Sequence, residues 1–321
     1  MVWLTYRQHR AQLLVTFGAL ILLGGTLLVS ALEATSWAAG HAPDGCPGSS
    51  PVCHDFNRGM FDRYHAVYQV FGYLPLVGPA LIGAFWGAPL VAREMERGTF
   101  RMAWTQSVTT LRWILAKLGL LCVAVVVAGA ALAVMVGRWN AVFEGAFPDS
   151  SFTNPGKFNI VGLAPAAWWL FAFAVGAATS AILRRTVPAM AVTVAVIAVA
   201  IPAVIVSHDL YAKPDRQVGV SRDALIANGD VIVAEMRVAP DGRVSDGSLS
   251  SVCPPAAGVD PSSSRAELAE QDCLLAKGYQ AAFDVHPASR FWLFQSLQAL
   301  LLVGGAVVLL VVTVRRTLRL H

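Results

Sequence analysis

Six times along this chain an apolar run is about as long as a helix must be to cross a bilayer, roughly 20 residues. The runs cover 11–32, 67–92, 113–136, 159–183, 187–207 and 291–314. In lipid, every backbone N–H and C=O must be satisfied within its own segment, so such runs fold as helices. The expected fold is therefore an all-α membrane protein with six transmembrane helices. Composition agrees, with 56% hydrophobic and 14% charged residues, against about 25% charged in a soluble domain. The net charge of +4 comes without a basic cluster interleaved with aromatics, so nucleic acid is not an expected partner.

The segment 1–10 carries Trp3, Leu4 and Tyr6 with Arg7 and Arg10. It suits either an interfacial helix or a plain basic flank. The first run exceeds the about 7–15 residues of a signal-peptide core and reads as a retained span. In the second run, Pro75, Pro79 and Pro89 are expected to bend the helix or loosen its hydrogen bonding locally. Gly83 and Gly87 form a small-xxx-small pair that lets another helix approach closely. Lys117 is expected to snorkel at the inner end of the third run. Trp168 and Trp169 sit mid-run in the fourth, where they pack against helices or line a path. The fifth run begins at Pro188 and is expected to be interrupted at Pro202. Gln295, Ser296 and Gln298, early in the sixth run, face either a substrate or a neighbouring helix.

Two polar segments interrupt the runs. Segment 33–66 holds Cys46 and Cys53 with His41, His54 and His65. Two Cys and several His raise zinc, but the spacing matches no familiar ligand pattern and a disulfide is favoured. Segment 208–288 holds the β-branched stretch Val231 to Val238, the turn signal Asp241-Gly242, and a capping box opening at Ser264 with Glu267. It reads as a small mixed α/β extracytoplasmic domain between helices 5 and 6. It also holds Cys253 and Cys273, whereas Cys122 falls inside an apolar run. Four cysteines allow three pairings. The local one, Cys46–Cys53 with Cys253–Cys273, is expected because it lets each segment fold alone; a crossed pairing would clamp the two together. The remaining pieces are spans 1 to 5 over 11–207, the sixth span at 289–314 and a tail at 315–321.

Arg7, Arg10, the charged stretch described next, Arg184, Arg185, Arg315, Arg316 and Arg319 all fall on one side if six spans alternate. The positive-inside rule makes that side, and both termini, cytoplasmic. The cysteine-bearing segments then face outward, where disulfides persist.

Between the second and third runs lies the densest charge in the membrane portion: Arg93, Glu94, Glu96, Arg97 and Arg101, with Gly98 and Thr99 among them. A helix leaving the membrane should end at Gly98, which can adopt the left-handed conformation after a helix. Ser107, Thr109 or Thr110 can cap the next helix, and Arg112 and Lys117 follow. The result is a charged elbow over 93–112.

The wording of this elbow, Gly-Ala-Pro-Leu-Val-Ala-Arg-Glu, then Gly98-Thr99, then Ala-Trp-Thr-Gln-Ser-Val-Thr, resembles the first cytoplasmic loop of ABC-2-type transporter permeases. It is similar to an actinobacterial group of them. A second, weaker echo is Pro287-Ala-Ser-Arg-Phe-Trp-Leu-Phe-Gln295. Many permeases of the wider family have a proline where this chain has Gln106-Ser107. The resemblance implies a non-catalytic permease subunit in a bacterial plasma membrane, exporting a hydrophobic or amphipathic compound such as a drug or lipid. Two copies of a separate ABC ATPase, which binds ATP and Mg, would dock on Arg93, Glu94, Glu96, Arg97, Gly98, Thr99 and Arg101. A second permease chain, identical or related, would complete the assembly within membrane lipid.

The residues themselves are consistent with this. The sequence has no Gly-x-x-x-x-Gly-Lys-Ser/Thr loop, His-Glu-x-x-His or Gly-x-Ser-x-Gly. The spans lack the buried ionisable relay on which ion-coupled carriers depend, so energy should enter through a partner. The alternative is a non-transporting sensor or scaffold that displays the outer domain.

Overall fold

A computed structural model of the chain describes residues 2–46, 51–96, 98, 109–143, 146, 152–245, 252–254 and 264–319. The chain divides into two compact units: Met1–His208 together with Trp292–His321, and Asp209–Phe291.

The first unit is helical. Its helices are α1 (Val2–His41), α2 (His54–Ile82), α3 (Pro89–Glu96), α4 (Thr110–Val142), a single turn α5 (Pro155–Phe158), α6 (Ala164–Leu183) and α7 (Thr186–Val206). The last helix of this unit, α10 (Phe291–Leu318), follows the second unit in the chain. Among the described residues, five helices are long and apolar enough to cross a membrane: α1, α4, α6, α7 and α10. The expected second span is not among these five. Its apolar residues are shared between α2, a π-helical turn at Gly83–Gly87, and α3. Pro89 has no N–H to give and its ring crowds the preceding turn. Ala88 N donates instead to Gly83 O at 2.9 Å, a one-residue-wider turn of the kind that marks functional sites.

α1 is unbroken from Val2 to His41, with no break at Arg10. Pro202 does not interrupt the fifth run but lies inside α7; helices in lipid tolerate proline where neighbouring groups satisfy the freed carbonyl.

α6 sits at the centre of this unit, and glycines let its neighbours reach its backbone. A Cβ on Gly176 would lie 2.2 Å from Gly83 O, and one on Gly87 would lie 2.4 Å from Phe173 O. On another side, a Cβ on Gly129 of α4 would lie 2.8 Å from Ala166 Cα. Backbone meets backbone at these crossings, which is the use of small residues expected for Gly83 and Gly87. Trp168 and Trp169 are both buried. The Trp169 ring packs where α2 has Gly78.

The second unit contains a four-stranded antiparallel sheet in the order β1-β4-β2-β3, with β1 (Asp215–Val218), β2 (Val231–Val238), β3 (Val244–Ser245) and β4 (Gln280–His286). Helices α8 (Arg222–Asn228) and α9 (Ser264–Ala276) complete it. Leu225, Phe283 and Val285 form its core, with Val220 and Ile232 against them. Arg216 faces Asp284 across the β1–β4 pair and binds it bidentately at 2.9 and 3.1 Å. The boundaries of β2 and the start of α9 coincide with the sequence reading.

Cys46 and Cys53 form one disulfide, and Cys253 and Cys273 another. The second joins Cys253 to α9 beside Leu274, Val252 and Tyr279. Closing a loop of this size is worth about 3 kcal/mol. Replacing Cys253 and Cys273 with Ser should leave the helical unit in the membrane but raise the protease sensitivity of the second unit. Unchanged protease resistance would show that the bridge does not hold this unit together.

Candidate functional site

The charged stretch begins at α3, which follows directly on the π-turn. A helix starts with unsatisfied N–H groups, and α3 has no Ser, Thr, Asp or Asn before it to accept them. Ser180 of α6 takes that role from a distance. Its Oγ accepts from Val91 N at 3.0 Å and from Ala92 N at 2.8 Å. The far end of α3 returns the same service. Glu96 accepts from Thr186 N at 2.8 Å and from Thr186 Oγ1 at 2.7 Å, capping α7, whose own flank supplies no side-chain cap. A carboxylate at a helix N-terminus also meets the positive end of its dipole. The Thr186 backbone N–H, then its hydroxyl, hold the Glu96 carboxyl below its ordinary pKa.

The third brace is ionic. Lys117 Nζ of α4 donates to Glu94 Oε1 at 2.6 Å and to Leu90 O at 3.2 Å, and stands 5.1 Å from the Trp113 ring centre. The Lys117 side chain is only 3% exposed and that of Glu94 18%. Lys117 was expected to snorkel into water; it turns into the protein because α3 brings a carboxylate and a carbonyl closer than solvent.

α3 is thus tied to α4, α6 and α7 at once, while Arg93 stays exposed. Gly98 has φ +66°, the left-handed conformation expected of it. Thr109 caps α4 by accepting from Arg112 N at 3.4 Å. Of the elbow residues named from sequence, Arg97, Thr99 and Arg101 lie outside the described residues, as do Gln106 and Ser107. The sequence reading missed Ser180 and Thr186. Their only signal was a hydroxyl in an apolar helix and one at a helix start; their partners are some 90 residues away in the chain.

A second polar cluster lies at the other end of α6. Gln295 of α10 accepts from Leu163 N and Ala164 N, both at 3.0 Å, and donates through Nε2 to Phe158 O at 2.8 Å. It thereby caps α6, which has no local side-chain cap. Asn159 Oδ1 accepts from Trp168 Nε1 and Gln298 Nε2, each at 2.8 Å. His208 Nε2 donates to Gln298 Oε1 at 2.7 Å. Gln295 and Gln298 are fully buried and spend their groups on neighbouring helices and loops, the second of the two roles weighed for them. Ser296 is exposed. Nearby, Lys157 lies 4.7 Å from the Tyr68 ring centre, and burial pushes its pKa down to about 8.

The capping role makes a prediction. Gln295→Ala would strand two donors at the start of α6, Ala164 N in a buried setting and Leu163 N in a half-buried one, at a cost of about 2 kcal/mol, read as a lower melting temperature in detergent. Ser296→Ala should stay within about 0.5 kcal/mol. A Gln295→Ala protein with normal stability but altered transport would move Gln295 to the substrate path.

Long apolar helices around a buried centre, with a braced charged elbow between two of them, define a multi-pass membrane protein. The chain belongs to the ABC-2 membrane transporter related family, whose model matches residues 12–207. It is accordingly a permease subunit, the membrane component of a transporter. Neither a curated protein nor a solved structure matches the chain.

Proposed function

We propose that this chain is the permease subunit of an ATP-driven exporter of a hydrophobic or amphipathic compound, and that α3 is where a separate ATPase engages it. The observation that carries this reading is the bracing of α3. A docking element must pass a push to the spans, and a helix bonded to α4, α6 and α7 cannot move without moving them. The charge around Lys117 supports the same view. Glu94 neutralises it locally, whereas an ion-coupled carrier arrays such groups as a relay. Family membership weighs against the scaffold alternative.

On this reading ATP and Mg belong to the ATPase partner. Two ATPase copies serve either two copies of this chain or one copy and a related chain. α2, continued by the π-turn, crosses the bilayer as the second of six spans. The elbow and both termini face the cytoplasm of a bacterial cell, and the Asp209–Phe291 unit faces outward.

The test begins with purification in mild detergent and identification of the ATPase that co-elutes. Arg93→Glu should then leave the melting temperature of the permease unchanged and lower substrate-stimulated ATP hydrolysis by at least about tenfold, the scale of one lost charge-assisted contact. Full stimulation in this variant would remove Arg93 from the docking surface. A reporter fused beside Gly242 should signal from outside; a cytoplasmic signal would overturn the orientation.

A further inference from the structure

We propose that a groove between α1 and α2 binds a membrane phospholipid whose headgroup carries a primary amine. The groove has a volume of about 850 Å³, within the roughly 300–1,000 Å³ of small-molecule sites. Its walls are apolar: Ile21, Leu22 and Val29 from α1, and Val67 from α2. Gly25 forms a recess in the α1 wall, and a Cβ there would meet nothing within 4 Å.

Glu33 and Arg63 also line this groove and are joined by an ion pair, Arg63 Nη2 to Glu33 Oε1, at 2.7 Å. The two side chains remain 50% and 54% exposed, Arg63 and Glu33 respectively. An exposed pair of this kind adds little stability, so holding α1 to α2 is a weak reason for its presence. Its chemistry matches a zwitterion. A guanidinium binds a phosphate in fork geometry, and the adjacent carboxylate accepts from an ammonium, which has three donors. An apolar wall leading to this pair suits an acyl chain attached to such a headgroup.

The charge arrangement also ranks the alternatives. A choline headgroup presents a cation without N–H donors and loses the hydrogen bond to Glu33. A glycerol headgroup carries only the phosphate charge and is repelled by Glu33. The expected order is ethanolamine, then choline, then glycerol.

The site does not depend on the transport reading, because it is measured on the purified full chain without an ATPase. Failure here leaves that reading standing, and the converse also holds. Delipidated protein is mixed with phosphatidylethanolamine, phosphatidylcholine or phosphatidylglycerol of identical chains, and retained lipid is counted by native mass spectrometry. We expect ethanolamine lipid to be retained about tenfold over choline lipid, the worth of one hydrogen bond to a charged group. Gly25→Leu adds a side chain where a Cβ meets nothing within 4 Å and should abolish retention while the protein still melts cooperatively. Glu33→Gln leaves the Arg63 cation alone and should move the preference to the glycerol lipid. Equal retention of all three lipids, or an unchanged order in Glu33→Gln, would overturn the proposal. So would efficient cross-linking of two copies through Leu22→Cys with no lipid retained, which would assign the groove to a second copy of the chain.

Discussion

Gly176→Ala is expected to prevent the helical unit from assembling. The added Cβ would lie 2.2 Å from Gly83 O and 2.8 Å from Ala88 N. Both are backbone atoms and cannot swing aside as a flexible side chain would. Relief requires α6 to separate from the π-turn, and that movement opens other contacts. Gly87 depends on the same approach to Phe173 O, and Gly83 on Ala172 O and Thr193 Cγ2, both at 2.7 Å. Thr193 is itself held by Thr179, whose hydroxyl is 2.9 Å away. Overpacking ordinarily costs 1–3 kcal/mol; three coupled close approaches put the cost here above about 3 kcal/mol. That is a large part of the about 5–15 kcal/mol that folded domains possess. The measurement is the fraction of detergent-solubilised protein eluting as one symmetrical peak, together with its melting temperature. Gly304→Ala is the matched control, since a Cβ there meets nothing within 4 Å. If Gly176→Ala elutes and melts like the wild type, the close crossing of α6 is not required.

The second large effect concerns Glu94. Removing its charge leaves the Lys117 ammonium buried with Leu90 O and the Trp113 ring. Breaking a buried pair on one side costs about 3–5 kcal/mol. Glu94 is partly exposed, so the lower end applies. Glu94→Gln and Lys117→Met are each expected to lower the melting temperature. Glu94→Gln combined with Lys117→Met should recover most of that loss, because no unpaired charge remains. If the pair also transmits force, the double variant will be stable yet poorly stimulated in ATP hydrolysis. Recovery of both stability and stimulation would confine the pair to a structural role. Glu94→Lys is unsuitable as a docking probe, since it would set a second ammonium against Lys117. Arg93, exposed and outside the braces, is the cleaner probe.

The parts legible in the sequence were those written in local pattern. Length and hydropathy gave the apolar helices, β-branched content gave β2, and the capping box marked the start of α9. The charged end of α3 was visible because charge is scarce elsewhere and Gly98 follows it. What escaped was set by tertiary approach. Nothing near Ser180 indicates that it caps α3, and nothing near Glu96 indicates that it caps α7. The fate of Lys117 depended on α3 lying beside α4. The second run divides at a wider turn at Gly83–Gly87, just before Pro89; three prolines had suggested a bend or a local loosening of hydrogen bonds, without placing it. Periodicity reports which face is apolar; it does not report which backbone comes close enough to accept a hydrogen bond.

The β1–β4 pairing bears on how the second unit relates to the rest of the gene. The first and last strands of that unit lie side by side, with Asp215 opposite Val285. Arg290 binds both oxygens of Asp215 at 2.7 Å and donates to Lys213 O at 2.7 Å. The chain therefore enters and leaves through one neck. Segments with adjacent ends are the ones that can be inserted, exchanged or deleted without disturbing their host. The unit has the geometry of a cassette: a short linker in its place would ask nothing new of the helices before and after it, and a different domain with equally close ends would fit the same slot.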